Sequence, residues 1–454
     1  TNGLSGHADR TTYEKLQFGV KFNDLAFLAD GKILAVGLGY LYRFNADGTA
    51  DTSFGKDGML PTFFGLSGPG YVDVANITSL ENGKILVTGN ISADITNSND
   101  TSLLVMRLNA DGSLDPTFNN GAGRVFNNPP GNTYEAVVGT AILRDGRILV
   151  AATSSAEFNN VTTDDPQHIA LARYLPDGTP DASFGTNGIV IGGNSEAHPT
   201  DMVVQADGKI LVVANDLYHD NGSTYFKFML FRFNSDGTPD TSFGVGGALA
   251  TDFASPTYLK SSYGMKIAVQ ADGKIVAVGS APVQTSDLRL NSGFAVVRYN
   301  QDGSLDKTFS GDGKFSEFIA PNNATWRPQG DDLWGSNTAH DLHLNDDGSI
   351  VVAGTTVWGR TDNGDIDMQL AMIRLRADGS FDTTFGTNGY VTTAPVPGEA
   401  VRWDGFENLI VGPDGRMVIG GGMDVTGSGW TPFMTGFNPD GSLDATFGTA
   451  VAGA

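Results

Sequence analysis

The chain contains no cysteine, which excludes disulfides, thiol catalysis and metal sites built on cysteine. Basic residues are also few, since 28 Lys and Arg stand against 51 Asp and Glu, giving a net charge of −23. So acidic a surface repels phosphate backbones, and we therefore expect no nucleic-acid partner.

Long apolar runs are missing as well. The longest, such as KILVVA at 209–214, are far too short to cross a bilayer, so we expect no transmembrane segment. The beginning, TNGLSGHADR, has no charged-then-apolar leader and resembles a mature or trimmed start. No H-E-x-x-H, G-x-S-x-G, phosphate-binding or dinucleotide-binding motif occurs.

The chain is instead rich in repetition. One phrase reads ADGKILAVG at 29–37, and its seven copies carry glycines spaced 52 to 75 residues apart. These glycines are Gly31, Gly83, Gly146, Gly208, Gly273, Gly348 and Gly415. Asp-Gly between apolar runs is a strong hairpin signal, and the wholly apolar run after it is typical of a strand buried on both faces. Each copy reads as four strands.

A second phrase, NADGTADTSFG at 45–55, follows the third strand of each copy, and we call it the corner phrase. Asn45, Asp47 and Gly48 suit a turn in which side chains bond the backbone, and Asp51 can cap that loop. The spaced acids resemble part of a calcium loop, but the closing Glu is missing, which favours a structural turn. The phrase ends in an apolar plug: Phe54, Phe118, Phe184, Phe243, Phe309, Phe385 and Phe447.

Seven units of four antiparallel strands predict an all-β, seven-bladed β-propeller, because one such sheet cannot bury both faces alone. A solenoid is the alternative, but its repeats are usually shorter and its end repeats differ. We place an N-terminal extension at 1–16 and blades at 17–66, 67–128, 129–193, 194–255, 256–320, 321–395 and 396–454. The last strand (448–454) either completes blade seven or pairs into the blade that contains 18–28; both place the termini side by side.

On these two phrases the chain resembles the bacterial delta-sixty repeat, a propeller-forming unit of exported and surface proteins. The third and sixth copies depart slightly, with Leu175 and Arg376 where the others have Asn. The resemblance implies a propeller that is secreted or held at the cell surface. It implies no particular activity and no catalytic residue.

One position in the first strand of each copy is mostly polar. It lies seven residues before the hairpin glycine and is occupied by Asp24, Asn76, Gly139, Asp201, Lys266, Asp341 and Asn408. If this strand is innermost, these side chains ring one mouth of the axial channel, and we call them the channel-mouth residues. The three carboxylates (Asp24, Asp201 and Asp341) could bind Ca²⁺, the one cofactor we consider. They could equally bind water or a sugar hydroxyl, or satisfy backbone groups at the strand start.

The tryptophans are additions to the repeat, and all five lie in the last third of the chain: Trp326, Trp334, Trp358, Trp403 and Trp430. On adjacent loops they could form a platform that stacks on sugar rings; local packing is the alternative. The same region supplies His340 for polar recognition. His340 and His343 flank Asp341, which suggests an acid–base or metal element or, more simply, a structural pair.

Two classes of function fit these patterns. The first is an exported, monomeric binding or adhesion module for glycans or a protein partner. The second is a polysaccharide hydrolase or lyase that uses Asp24, Asp201, Asp341 and Lys266 at the channel mouth, since paired carboxylates can cleave glycosidic bonds at suitable separations.

Overall fold

A computed structural model describes residues 21–37, 39–61, 71–92, 101–128, 134–155, 167–193, 196–220, 223–253, 261–284, 290–320, 335–360, 366–394, 403–424 and 431–448. Every regular element within these ranges is a β-strand. This part of the chain has no helix with the length and hydrophobicity needed to span a bilayer.

The strands fall into units that follow the sequence repeats. The first two units contain β1 (Asp24–Phe27), β2 (Ile33–Gly37), β3 (Tyr40–Phe44), β4 (Met59–Pro61), β5 (Tyr71–Ser79), β6 (Ile85–Ser92), β7 (Thr101–Leu108) and β8 (Arg124–Asn127). The third and fourth contain β9 (Tyr134–Ile142), β10 (Ile148–Ser155), β11 (His168–Tyr174), β12 (Ile189–Gly192), β13 (Ala197–Val204), β14 (Ile210–Asp220), β15 (Ser223–Phe233) and β16 (Ala248–Thr251).

The remaining units follow the same order. They contain β17 (Tyr263–Val269), β18 (Ile275–Gln284), β19 (Leu290–Tyr299), β20 (Lys314–Glu317), β21 (Gly335–Leu344), β22 (Ile350–Arg360), β23 (Ile366–Leu375), β24 (Tyr390–Thr393), β25 (Trp403–Val411), β26 (Met417–Asp424) and β27 (Thr431–Phe437). The seventh unit thus has three strands among the described residues.

Within each unit the strands pair antiparallel with their sequence neighbours. One parallel strand pairing, between Ser292 and Ser336, links the fifth and sixth units and merges them into one eight-stranded sheet. The structure confirms an all-β propeller built of four-stranded antiparallel blades.

The core lies between neighbouring blades. Each hydrophobic cluster draws its side chains from two consecutive units, and one draws them from the first and the seventh. That cluster places Phe22 and Phe44 with Met434 and Phe447. The second strands are buried on both faces, as their apolar runs predict; every residue of β10, for example, is buried.

The corner phrase forms the predicted turn. Gly48 has a φ of 81°, a conformation that glycine adopts without strain. Asp47 Oδ1 accepts the Thr49 N–H at 2.9 Å, and Asp51 Oδ1 accepts the Ser53 N–H at 3.1 Å. All seven phenylalanine plugs are at most 2% exposed.

The first and last units are in direct contact. Phe22 N donates to Gly421 O at 3.3 Å, and Gly448 N donates to Asp47 O at 2.5 Å. Residues 449–454, on which the choice of closing strand depends, lie outside the described residues.

Candidate functional site at the axial cavity

A β-bulge interrupts the first strand of six units. The register shifts directly before Asn76, Asp201, Lys266, Asp341 and Asn408, and at the corresponding place before Gly139. A bulge inserts one unpaired residue and redirects the side chains around it. The channel-mouth residue is therefore the one at which regular pairing resumes.

The three channel-mouth aspartates bond the backbone of the next unit. Asp24 Oδ2 accepts the Ile77 N–H at 2.7 Å, Asp201 Oδ2 accepts the Ile267 N–H at 3.0 Å, and Asp341 Oδ2 accepts the Leu409 N–H at 2.7 Å. Asn408 makes a related bond across the junction of the last and first units, donating from Nδ2 to Asn23 O at 2.6 Å. These side chains join neighbouring blades around the axis.

Next to these bonds lies a cavity of about 970 Å³, which we call the axial cavity. Asn76, Lys266 and Asn408 are among the residues that line it. Its wall also includes the residue one position earlier in every unit, at the bulges or, in the first unit, directly before β1: Asn23, Ala75, Val138, Thr200, Met265, His340 and Glu407. All seven repeats thus contribute to one cavity.

The charged groups of the cavity wall are mostly paired. Lys21 Nζ lies 2.6 Å from Glu407 Oε1, and Asn23 Nδ2 donates to Asp73 Oδ1 at 3.2 Å. Burial raises the pKa of Asp73 above its usual range, although Lys21 and Asn23 oppose the shift. His340 packs its ring 5.6 Å from that of Phe406, and burial lowers its pKa to about 4. His340 is therefore neutral at neutral pH.

Lys266 places a positive charge among the channel-mouth carboxylates. Its Nζ lies 3.8 Å from Asp201 Oδ1, and attraction by Asp201, then by Asp341 and Asp24, raises its pKa well above the usual range. Burial raises the pKa of Asp24 to about 7, against the attraction of Lys266. The ammonium group supplies charge compensation that a bound cation would otherwise provide.

No three Asp, Glu or His side chains converge as metal ligands in the part of the chain that the structure describes. The calcium site at Asp24, Asp201 and Asp341 stays a prediction. Each of these carboxylates has one oxygen engaged by a backbone N–H of the next unit, which fits the alternative that they satisfy backbone groups.

The aromatic platform stays a prediction as well. Trp326, Trp334 and Trp430 lie outside the described residues. Trp358 lies in β22 with its backbone opposite Gly335, and Trp403 begins β25 opposite Asp424.

Sequence reasoning missed Lys21, Asp73 and Glu407. Glu407 directly precedes a channel-mouth residue, but strict alternation along a strand would have sent neighbouring side chains to opposite faces. A polar residue just before the recurring position, as in Asn23, Thr200 and Glu407, is the signal that could have revealed Glu407. That signal does not reach Lys21 and Asp73, which lie three residues before Asp24 and Asn76.

The chain matches the family described as "Domain of unknown function (DUF5122) beta-propeller" at residues 28–54, 80–118, 143–184, 205–243, 270–309, 346–385 and 412–447. These matches cover more than half of the sequence. The chain belongs to this family. Each match begins near a hairpin phrase and ends at a phenylalanine plug, so the DUF5122 repeat coincides with the repeated unit read from the sequence.

Solved structures resemble this DUF5122 chain only distantly. They include the extracellular domains 1–2 of Drosophila Semaphorin 1a (TM-score 0.42, 10% identity, 96% of this chain and 88% of that one). They also include a Penicillium chrysogenum α-L-arabinanase complexed with arabinobiose (TM-score 0.41, 12% identity, 81% of this chain and 93% of that one). A third is the polysaccharide lyase Uly1 (TM-score 0.38, 13% identity, 83% of this chain and 91% of that one). Structural similarity this low carries no information on the activity of this chain. No curated protein matches the chain significantly.

Proposed function

We propose that this DUF5122 chain forms one closed, seven-bladed propeller and acts as an exported, non-catalytic binding module. Its ligand site is the axial cavity. The observation that carries this proposal is the cavity wall, where the bulge positions hold side chains as different as Val138, Met265, His340 and Glu407 around a shared frame. A repeated frame with varied wall residues suits recognition. We also propose that the repeat is a delta-sixty repeat and that the chain is exported as proteins with that repeat are.

The chemistry of the wall favours a glycan. Tyr134, Pro199 and Met265 supply apolar surface, while Asn76 and Asn90 supply amide groups. A sugar ring presents an apolar face together with a rim of hydroxyls, which matches such a mixture. The volume of about 970 Å³ lies within the range of small-ligand sites and admits a short oligosaccharide.

The hydrogen bonding of the central carboxylates supports binding over catalysis. Asp24 and Asp341 each accept a backbone N–H on both oxygens. A general base needs a lone pair within reach of the proton that it removes. These bonds hold both carboxylates against the backbone of their own and neighbouring strands, and neither carboxylate lines the axial cavity. Neither is therefore placed to take a proton from a ligand bound there.

A glycan array probed with the whole chain, followed by calorimetry with the best oligosaccharide, tests the proposal. We expect Met265→Trp, which narrows the cavity from a bulge position, to weaken binding. The matched control is Trp358→Ala, which removes a residue of the alternative tryptophan platform. Binding that survives Met265→Trp but is lost in Trp358→Ala would move the ligand to the loops and refute the cavity site.

The second candidate is a polysaccharide hydrolase or lyase that acts in the same cavity. Asp73 favours it, because burial raises the pKa of this carboxyl while Glu407 lines the same cavity. Two carboxyls that face one cavity at a suitable separation can cleave a glycosidic bond. A screen for polysaccharide turnover, repeated with Asp73→Asn and Glu407→Gln, checks it; no turnover, or turnover unchanged by both substitutions, rejects these roles.

A further inference from the structure

An arginine joins each of the first six units to the next one. This arginine lies in the third strand, two residues before the corner phrase. In the six units it is Arg43, Arg107, Arg173, Arg232, Arg298 and Arg374. In each case Nε donates at 2.5 to 2.8 Å to an aspartate of the corner phrase, which we call the corner aspartate: Asp51, Asp115, Asp181, Asp240, Asp306 and Asp382. We call this arginine the corner arginine.

The same guanidinium makes two further contacts in all six units. Its Cζ lies 4.2 to 4.9 Å above the ring of the phenylalanine plug. Its Nη1 donates at 2.6 to 2.9 Å to a carbonyl in the corner phrase of the next unit: Ala110, Pro176, Ser235, Gln301, Ala377 and Pro439. A carboxylate, an aromatic face and a carbonyl thus define one guanidinium environment.

The seventh unit has Gly436 where the others have the corner arginine. Its other parts are in place, because Asp444 is buried to 6% exposure and Phe447 to 2%. Asp444 Oδ1 accepts the Thr446 N–H at 2.9 Å. Its Oδ2 lies 3.9 Å from Arg416 Nη1, whereas the aspartates of the other six units have an arginine Nε within 2.8 Å.

The backbone frame at this junction matches that of the other junctions. Gly448 N donates to Asp47 O of the first unit at 2.5 Å, as Gly386 N donates to Asp440 O at 2.7 Å between the sixth and seventh units. Ala46 of the first unit consequently stands where Ala110 stands in the second. The carbonyl that would receive Nη1 is thus supplied by Ala46.

A cavity of about 480 Å³ opens at this place, and we call it the seam cavity. Gly436, Asp444, Phe447 and Ala46 all line it, together with apolar surface from Phe27, Leu80 and Met417. Among the described residues, the seam cavity therefore brings together the three kinds of group that hold a guanidinium in six other units. The ring of Phe447 lies close to Gly436, with its Cγ 2.6 Å from where a Cβ on Gly436 would stand.

We propose that the seam cavity binds a guanidinium group from outside the chain, such as an arginine side chain. This site is separate from the axial cavity and does not depend on the proposed function. A planar guanidinium donates in two directions and stacks on Phe447 at the same time, whereas an ammonium does not reproduce that geometry. Arg416 leaves room for it, because Arg147 and Arg173 approach Asp181 together in the third unit, at 3.3 and 2.8 Å.

Calorimetry of the full chain with N-acetyl-arginine amide and N-acetyl-lysine amide tests the site. We expect the arginine compound to bind at least about tenfold more tightly, the ratio that one charge-assisted hydrogen bond supplies. Free guanidinium ion and a short arginine peptide serve as further probes. Displacement of the arginine compound by free guanidinium ion, without tighter binding of the peptide, indicates that the ligand is a small guanidinium compound. Much tighter binding of the peptide than of the arginine compound indicates a protein partner. Equal affinity for the arginine and lysine compounds, or no binding of any guanidinium probe, overturns the proposal.

Two variants locate the binding. Asp444→Asn should lower the affinity for the arginine compound at least about tenfold. Asp272→Asn, an equal change of charge in an exposed turn, should leave that affinity unchanged. Gly436→Arg should abolish binding by supplying the missing side chain, after the plug ring shifts away from the new Cβ, which would lie 2.6 Å from Phe447 Cγ. If Gly436→Arg fails to fold, the Asp444→Asn result decides, and unchanged affinity there refutes the site.

Discussion

At the scale of single residues, the corner arginine explains why one eleven-residue phrase recurs with so little change. Arg298 illustrates it: its side chain and that of Asp306 are each 5% exposed, 2.8 Å apart. Its Nη1 also donates to Ala377 O in the next unit at 2.6 Å. A buried charge needs a partner for every donor and acceptor, so changing any one member leaves the others unsatisfied.

We expect Arg298→Ala to destabilise the chain by about 3–5 kcal/mol, the usual cost of removing one partner of a buried ion pair. Lys274, 3.4 Å from Asp306, compensates only in part. The free energy of unfolding in urea measures the effect. The control is Arg376→Ala, whose side chain is 49% exposed and 3.8 Å from Asp382; exposed pairs contribute under about 1 kcal/mol. Equal losses in the two variants would contradict the structural role of the corner arginine.

At the scale of strands, the bulge in the first strand separates two tasks that lie on adjacent residues. In β21, His340 at the bulge lines the axial cavity, whereas the next residue, Asp341, bonds the next blade. The frame is thus kept by one position, while the wall of the cavity can change at its neighbour. In β25 the division is less strict: Glu407 at the bulge lines the cavity, while Asn408 both lines it and donates to Asn23 O.

Asp341→Ala tests whether the Asp341 side chain bonds its blade to the next one. It removes the acceptor of the Leu409 N–H, and a buried N–H without a partner costs about 1–3 kcal/mol. We expect faster hydrogen exchange at Leu409, measured by mass spectrometry of β25 peptides. Asn76→Ala is the matched control, because its side chain holds the equivalent position with one long contact to Thr140 Oγ1 at 3.5 Å. Unchanged protection of Leu409 in Asp341→Ala would count against the bond.

The strands and turns could be predicted from the sequence because their signals are local. The Asp-Gly hairpins, the apolar second strands and the phenylalanine plugs depend on residues within one repeat. The cavity wall could not be predicted in the same way. A bulge does not change the alternation of polar and apolar residues in a recognisable way. The sequence pattern therefore indicates Asp201 and Lys266 instead of Thr200 and Met265. The pairing of Lys21 with Glu407 depends on contact between the two ends of the chain.

At the scale of the whole molecule, the corner aspartates make stability depend on pH. Burial opposes their ionisation, but hydrogen bonds and cations outweigh it and lower the pKa of Asp181 and of Asp306 to about 2. The pKa values of four others are lowered as well: Asp51, Asp115, Asp240 and Asp382. An unfolded Asp titrates near 3.9, so the unfolded chain binds these protons first as the pH falls.

A carboxyl whose pKa is lowered by folding stabilises the protein fully above its unfolded pKa and ceases to do so as the pH falls through its folded pKa. We therefore expect the melting temperature to fall steeply between about pH 4 and pH 2, because several such carboxyls lose their contribution in that window. Asp181→Asn should melt lower than the parent chain at pH 7, where the charge is stabilising, and should show a smaller decrease between pH 4 and pH 2. Circular dichroism of the β-sheet signal during heating, at a series of pH values, measures both.

Parallel curves of melting temperature against pH for the two proteins, down to pH 2, would show that the corner carboxylates do not control acid stability. The fall would then have to be assigned to the general loss of negative charge from a chain that carries −23 at neutral pH, a loss that both proteins share.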